Sequence, residues 1–378
     1  MGVEAEVGDA VAALDPVFHQ GGGQTLRTFS EFAIGELPFA RYDPNFIREQ
    51  IHGAVETSDG RQRHEHGGIV LLSARRSCYH RVSLRFGLHT SISKSLENAA
   101  IKAVEVGANT FQIFSASPRM WRACAPAPSA VKLLQRIRER HDLAPLVIHD
   151  NYLINLGSCS EALRAQSTAA FRGEMERALA IGAEYLVAHP GNCKGHSIEQ
   201  GICAVARSLA EAAQGLDTRN LTVLLENTAG SGAALGSRFE ELGSMRQLAA
   251  EMTDLKIGFC IDTCHCLASG YDVSSAAGLK QTVAEMDRVL GIENVRVIHA
   301  NDSKGALGSH LDRHQHIGRG HIGEAGFRRI LNHPKLRSKA FILETPVDEE
   351  GDELRNLEML KRLSRKATTA SGMLKLPS

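Results

Sequence analysis

The sequence predicts an α/β fold, a (β/α)₈ TIM barrel preceded by a poorly ordered N-terminal extension. Three observations carry that prediction. From Arg85 onward, short, apolar and often β-branched runs alternate with segments of helical period, a pattern that argues for a parallel sheet. Eight such units can be counted along the chain, the number a closed barrel requires. They occupy roughly 280 residues, the size of one barrel of ordinary dimensions.

The elements follow in order. A strand over Arg85–His89 leads to a helix over Lys94–Val106, and Thr110–Ser115 leads to Ala130–Arg140. Pro145–His149 precedes the long amphipathic stretch Glu161–Ile181, and Tyr185–His189 precedes Ile198–Ala213. The aliphatic run Leu221–Glu226 is followed by Arg238–Glu251, and Ile257–Asp262 by Ser275–Leu290. Val295–His299 with Glu324–Leu331, then Ala340–Glu344 with Asp352–Leu363, complete the series. The expected barrel spans residues 85–367, with a tail over 368–378. Residues 1–84 differ: they carry Gly21–Gly23, the run Arg61-Gln-Arg-His-Glu-His66 and Arg75–Arg76, and neither period persists there. They read as an extension outside the fold; a DNA-contacting or regulatory arm is the functional alternative.

Composition excludes several classes. No run approaches the length needed to span a bilayer, so no membrane association is expected. The opening residues are acidic and small rather than basic then apolar, so the cytoplasm is the expected compartment. The 8 cysteines show no repeating frame, and reduced thiols are the better reading. Cys264 and Cys266 form a lone C-x-C with no second pair to complete a Cys₄ zinc knuckle. Net charge is zero, so no basic patch advertises nucleic acid. The 17 histidines are many for this length.

Chemistry emerges at the strand ends. In order these are His89, Ser115, His149, His189, Glu226, Asp262, His299 and Glu344. A barrel brings the C-terminal ends of all its strands to one face, where catalytic groups sit. Any one such histidine is more often a hydrogen-bonded structural residue, and polar residues mark strand ends because loops begin there. A nearly unbroken series of His, Glu and Asp is harder to explain without cations, because facing carboxylates repel and raise one another's pKa values. Mixed imidazole and carboxylate donors suit zinc, or manganese or iron, better than magnesium or calcium. His265 follows the strand-end Asp262 by three positions, and Asp312-Arg-His314 sets a carboxylate and an imidazole on one side of an extended segment. These add donors for a further ion.

Together these stretches resemble the endonuclease IV family over about Phe86 to Leu363. The resemblance rests on Gly87-Leu-His89-Thr-Ser91, Phe114-Ser-Ala-Ser-Pro-Arg-Met-Trp121, His149-Asp-Asn-Tyr152-Leu-Ile-Asn-Leu156 and His189-Pro-Gly191. It continues with Glu226-Asn-Thr-Ala-Gly230, Cys260-Ile-Asp-Thr-Cys-His265, His299-Ala-Asn-Asp-Ser-Lys304, Asp312-Arg-His314 and Leu343-Glu-Thr345. The resemblance implies a zinc-dependent DNA-repair endonuclease that hydrolyses the phosphodiester 5′ to an abasic site in double-stranded DNA, leaving a 3′-hydroxyl and a 5′-deoxyribose phosphate. It implies three zinc ions per chain: one held by His149, His189 and Glu226; one by Glu226, Asp262, His299 and Glu344; and one by His265, Asp312 and His314. Glu226 and Glu344 are the implied catalytic carboxylates. Water activated by the paired metals attacks phosphorus in line, and the third stabilises the departing oxygen. Six positive charges against four carboxylates leave the site about two units positive, which reconciles DNA binding with a neutral chain. Arg119 and Tyr152 are implied to enter the DNA stack at the lesion; the bland readings are a surface ion pair and a wall of the barrel mouth.

Some features depart from the family or stand outside its ligand set. Ser117 replaces the usual asparagine, and Gly318-Arg319-Gly320 replaces a glycine-acid-glycine triplet; both bear on DNA grip rather than on a ligand. His89 is expected behind the ligands or on a phosphate, and Trp121 to pack its loop. The protein is expected to be a monomer. The rival reading is a divalent-metal sugar isomerase or epimerase on the same barrel, which has no use for the Asp312-Arg-His314 motif.

Overall fold

The structure, a computed structural model, describes residues 84–365. The expected tail over 368–378, and the expected extension apart from Leu84, lie outside the described residues. Eight strands form one parallel sheet: β1 (Arg85–Leu88), β2 (Phe111–Phe114), β3 (Leu146–His149), β4 (Tyr185–Ala188), β5 (Thr222–Glu226), β6 (Ile257–Asp262), β7 (Val295–His299) and β10 (Ala340–Leu343). Two further strands, β8 (Asp302–Ser303) and β9 (His314–Gln315), make a small antiparallel pair after β7. The helices are α1 (Leu96–Glu105), α2 (Pro128–His141), α3 (Glu161–Ile181), α4 (Ile198–Ala213), α5 (Phe239–Ala250), α6 (Thr263–Ala268), α7 (Ala276–Leu290), α8 (Gly323–Asn332) and α9 (Asp352–Ser364).

The strand order runs β1-β10-β7-β6-β5-β4-β3-β2. The sheet closes between β1 and β2 through a parallel bridge from His89 to Gln112 and a bond from Thr90 N to the Gln112 carbonyl at 2.8 Å. Gly87 permits that closure: a Cβ there would lie 2.0 Å from the Thr110 carbonyl oxygen.

The period of two in each strand decides what enters the barrel. Val147, Val187, Leu224, Cys260, Val297, Ala340 and Ile342 form the inner core, with Tyr185 against it. Their neighbours Ile148, Ala188, Leu225, Ile261, Ile298 and Leu343 belong instead to the layer between sheet and helices. That outer layer also buries Phe111, Phe171, Phe239, Phe259, Phe327 and Phe341 completely, each contributing about 1.5–3 kcal/mol of transfer free energy. One more step of two from the inner residues reaches His149, His189, Glu226, Asp262, His299 and Glu344. The apolar core therefore aims these six side chains into the same mouth.

Helix ends are set locally. Ser197 and Gln200 form a reciprocal capping box at the start of α4. Pro128 opens α2, where its missing N–H costs nothing. Asp262 does double duty: its Oδ1 accepts from His265 N at 2.8 Å and so caps the short helix α6.

Candidate metal centre

The structure gathers the predicted donors into three groups, in each of which the donor atoms lie within 4.8 Å of one another. The first holds His149, His189 and Glu226; the second Glu226, Asp262, His299 and Glu344; the third His265, Asp312 and His314. Glu226 belongs to two of them. It is buried, and its carboxylate faces four imidazoles: His299 Nδ1 at 2.9 Å, His149 Nε2 at 3.2 Å, His189 Nε2 at 3.5 Å and His265 Nδ1 at 3.5 Å. In the third group His265 Nε2 and His314 Nε2 lie 3.2 and 3.6 Å from Asp312 Oδ1. Two donors about 2.1 Å from a shared tetrahedral ion stand about 3.4 Å apart, so these spacings fit bridging by a cation.

The outer hydrogen bonds fix how each imidazole presents itself. His149 Nδ1 lies 2.9 Å from the Asp150 carbonyl, His265 Nδ1 2.9 Å from the Asn227 carbonyl, and His314 Nδ1 3.0 Å from the Glu344 carbonyl. A carbonyl only accepts, so each Nδ1 carries the proton and Nε2 turns a lone pair toward the cluster. For His299 the arrangement is reversed: its Nε2 donates to Gln112 Oε1 at 2.8 Å and Nδ1 faces the carboxylates. With one proton per imidazole, lone pairs and carboxylate oxygens converge on the cluster, and any second proton would sit among them on a nitrogen that a cation could take instead. Among the described residues, the buried His265 Nε2 and His314 Nε2 have no partner in hydrogen-bonding geometry, although Asp312 Oδ1 lies near both. This donor set fits divalent cations of the zinc type.

Electrostatics agree. Burial alone would raise the Glu226 carboxyl, yet the imidazoles of His299, His189 and His149 hold it well below the usual carboxylate range. Burial likewise opposes a proton on His149, and the Glu226 carboxylate overcomes this and lifts the group to about 10. In the ion-free cluster a proton on His149 balances the buried Glu226 carboxylate.

Around the donors lies a cleft of about 340 Å³ lined by Phe114, Tyr152, Thr345 and Val347 together with the imidazoles. Tyr152 is 68% exposed at its rim and packs edge-on against Phe114 at 5.3 Å. Arg119 is exposed on the preceding loop; burial and the Glu344 carboxylate raise the Tyr152 hydroxyl, and the Arg119 guanidinium opposes them. The two loops touch, since Tyr152 N donates to the Pro118 carbonyl at 3.2 Å. Trp121 is half-buried against the core, as expected. His89 joins no donor group; its Nδ1 lies 3.1 Å from Gln112 Nε2, behind the ligands.

Some expectations need correction. Ser115 does not end its strand: β2 stops at Phe114, and Ser115 turns outward to Glu174 and Arg177 on α3. His89, His189 and Glu344 lie one residue beyond their strands rather than at the ends. Gln112 was missed, although a lone amide inside Phe111-Gln-Ile-Phe114 was a visible signal. The cysteines form no Cys₄ set among the described residues. Cys260 and Cys264 instead sit beside the donors, and burial pushes the Cys264 thiol up to about 12.

Comparison with known proteins bears directly on this arrangement. Residues 101–363 match the family described as xylose isomerase-like TIM barrel. The chain is 60% identical over 281 residues to a probable endonuclease 4 of Solibacter usitatus, covering 74% of this chain and 97% of that protein. It is similar to the crystal structure of endonuclease IV from Thermus thermophilus at 38% identity and a TM-score of 0.65, covering 74% of this chain and 98% of the other. A D-tagatose 3-epimerase-like protein matches at 21% identity and a TM-score of 0.55, covering 74% and 97%. At that identity the likeness concerns the barrel alone.

Proposed function

The chain belongs to the endonuclease IV family of DNA-cleaving, DNA-repair hydrolases, and from that premise we propose that it nicks duplex DNA on the 5′ side of abasic nucleotides with three zinc ions. His149, His189 and Glu226 would hold one ion, and Glu226, Asp262, His299 and Glu344 a second. His265, Asp312 and His314 would hold the third. Bound there, zinc lowers the pKa of water and neutralises charge on a phosphoryl group. The observation that carries this reading is Glu226, one buried carboxylate shared by two donor groups.

The chain's own residues do the rest. Gln112 Nε2 holds Glu344 Oε1 at 2.6 Å, which leaves Oε2 turned toward His299 and the cleft. Burial would raise the Glu344 carboxyl, but His299 and His89 hold it well below the usual range. Glu344 is therefore ionised and would accept a hydrogen bond that orients the attacking water. Arg119 and Tyr152 read the lesion from the rim: a missing base lowers the cost of extruding the nucleotide, and the two side chains fill the gap in the stack. The proposed centre needs no residue from a second subunit, and a monomer is proposed as the working species.

The test is a duplex carrying one tetrahydrofuran abasic analogue, incubated without added magnesium, with elemental analysis of the same protein. A single nick 5′ to the lesion and about three zinc ions per chain are expected. An intact duplex with zinc-replete protein would sink the reading, and one or two manganese ions would point to the sugar-isomerase alternative.

A further inference from the structure

Outside the barrel, at the base of both rim loops, lies a buried ion pair that the proposed chemistry does not use. Glu174 and Arg177 stand three apart on α3, and both are buried. Arg177 Nη2 meets Glu174 Oε1 at 2.9 Å, and Arg177 Nε donates to Ser115 Oγ at 2.7 Å. The Ser115 hydroxyl in turn donates to Glu174 Oε2. On the other side, Asn151 Nδ2 reaches both Glu174 Oε1 and the Met120 carbonyl at 3.5 Å. Asn151 Oδ1 accepts from Leu153 N at 2.9 Å.

Ser115 opens the loop that carries Arg119, and Asn151 precedes Tyr152. One charged pair on a single helix therefore holds both loops. A buried pair is weak evidence for stability, because apolar residues of similar volume often serve the fold equally well. What apolar residues cannot supply is directional bonding to a hydroxyl on one loop and an amide on the other.

Building on the lesion-reading roles proposed above, we infer that Glu174 and Arg177 are positioning residues that hold the Arg119 and Tyr152 loops in register with each other. Both are buried, line no part of the cleft and make no hydrogen bond to a donor, so their loss loosens the rim and leaves the metal centre intact.

The experiment uses the full zinc-loaded chain with Glu174→Met and Arg177→Met together, which leaves no unpaired buried charge. Trp121 lies in the first loop and is the only tryptophan in the chain, so acrylamide quenching of its fluorescence reports loop order without DNA. Quenching is expected to rise. KM for the abasic duplex is expected to rise about tenfold or more while kcat and zinc content stay within about threefold. Ser115→Ala, which keeps the ion pair, is expected to shift quenching and KM in the same direction by less, and it serves if the double variant does not fold. Unchanged quenching and KM in the folded variant overturn the inference. So does a parallel fall in zinc content and kcat, which would mark a general support of the barrel. Wild-type protein that leaves the abasic duplex intact overturns the substrate reading, while the Trp121 measurement still decides the positioning role.

Discussion

Gln112 and Glu344 meet across the barrel mouth: the amide nitrogen donates to Oε1 at 2.6 Å, and this bond fixes which way the amide points. Because the nitrogen is committed to Glu344, the amide oxygen is left to accept from His299 Nε2 at 2.8 Å. One neutral side chain therefore sets the orientation of a carboxylate and the tautomer of an imidazole. Replacing it by alanine leaves all nine donors in place but lets both groups turn. Gln112→Ala is expected to weaken zinc binding by about 10–100-fold, measured by competition with a chelator, with activity recovering in excess zinc. Wild-type affinity in that variant would mean that Gln112 is only filler.

Glu226→Gln tests the shared carboxylate. The amide keeps the volume but removes the charge facing four imidazoles and belonging to two donor groups. Two ions are expected to weaken together, and cleavage to fall at least about a thousandfold, as loss of several kcal/mol of charge stabilisation implies. Near-normal rates with full metal content would remove Glu226 from its bridging role.

Asp312 provides the contrast. Its side chain is 57% exposed and takes part only in the third group. Asp312→Ala is expected to lower zinc from about three to about two per chain while the first two ions hold. Elemental analysis showing all ions lost together would mean that the three groups act as one site.

Metal removal has a proton signature. In the ion-free protein His149 is raised to about 10 by the Glu226 carboxylate despite its burial. A raised value means that the proton is bound at pH 7, below the folded pKa. Zinc needs that nitrogen's lone pair, so binding must expel the proton. Zinc added to chelator-treated protein in weak buffer at pH 7 should acidify the solution, and the release should shrink as pH approaches 10. A zinc titration at pH 7 with no proton release would contradict the ligand assignment of His149.

The sequence made the barrel legible because strand and helix periods alternate so regularly, and strand-end counting pointed to six of the nine candidate donors, with His265, Asp312 and His314 coming from two local motifs. It worked because strands aim alternate residues inward, and Val147, Val187 and Leu224 each precede a donor by two. Gln112 escaped the same counting: it lies inside β2 rather than at its end, and an amide is not a metal ligand. The β8–β9 pair escaped because two residues per strand carry no period. Ser115 was misplaced because nothing local says that β2 stops at Phe114. Its partners Glu174 and Arg177 lie 59 and 62 positions away, a pairing that only the fold creates.

Gly87 offers a test of the fold itself, separate from the site. The β1–β2 seam has less pairing than its neighbours, and there the chain passes so close to Thr110 that a Cβ would stand 2.0 Å from its carbonyl oxygen and 2.5 Å from its carbonyl carbon. Those atoms are backbone, so no side-chain rotation relieves the contact. Either β1 moves away from β2, losing the Thr90 N to Gln112 O bond, or the seam opens. Gly87→Ala is expected to destabilise the protein by about 3 kcal/mol, the upper end for overpacking, read as a lower denaturant midpoint in the zinc-loaded state. Because Gln112 sits on that seam and orients Glu344, zinc should also bind more weakly in the folded variant. A midpoint equal to wild type would mean that β1 and β2 do not approach as closely as the barrel requires.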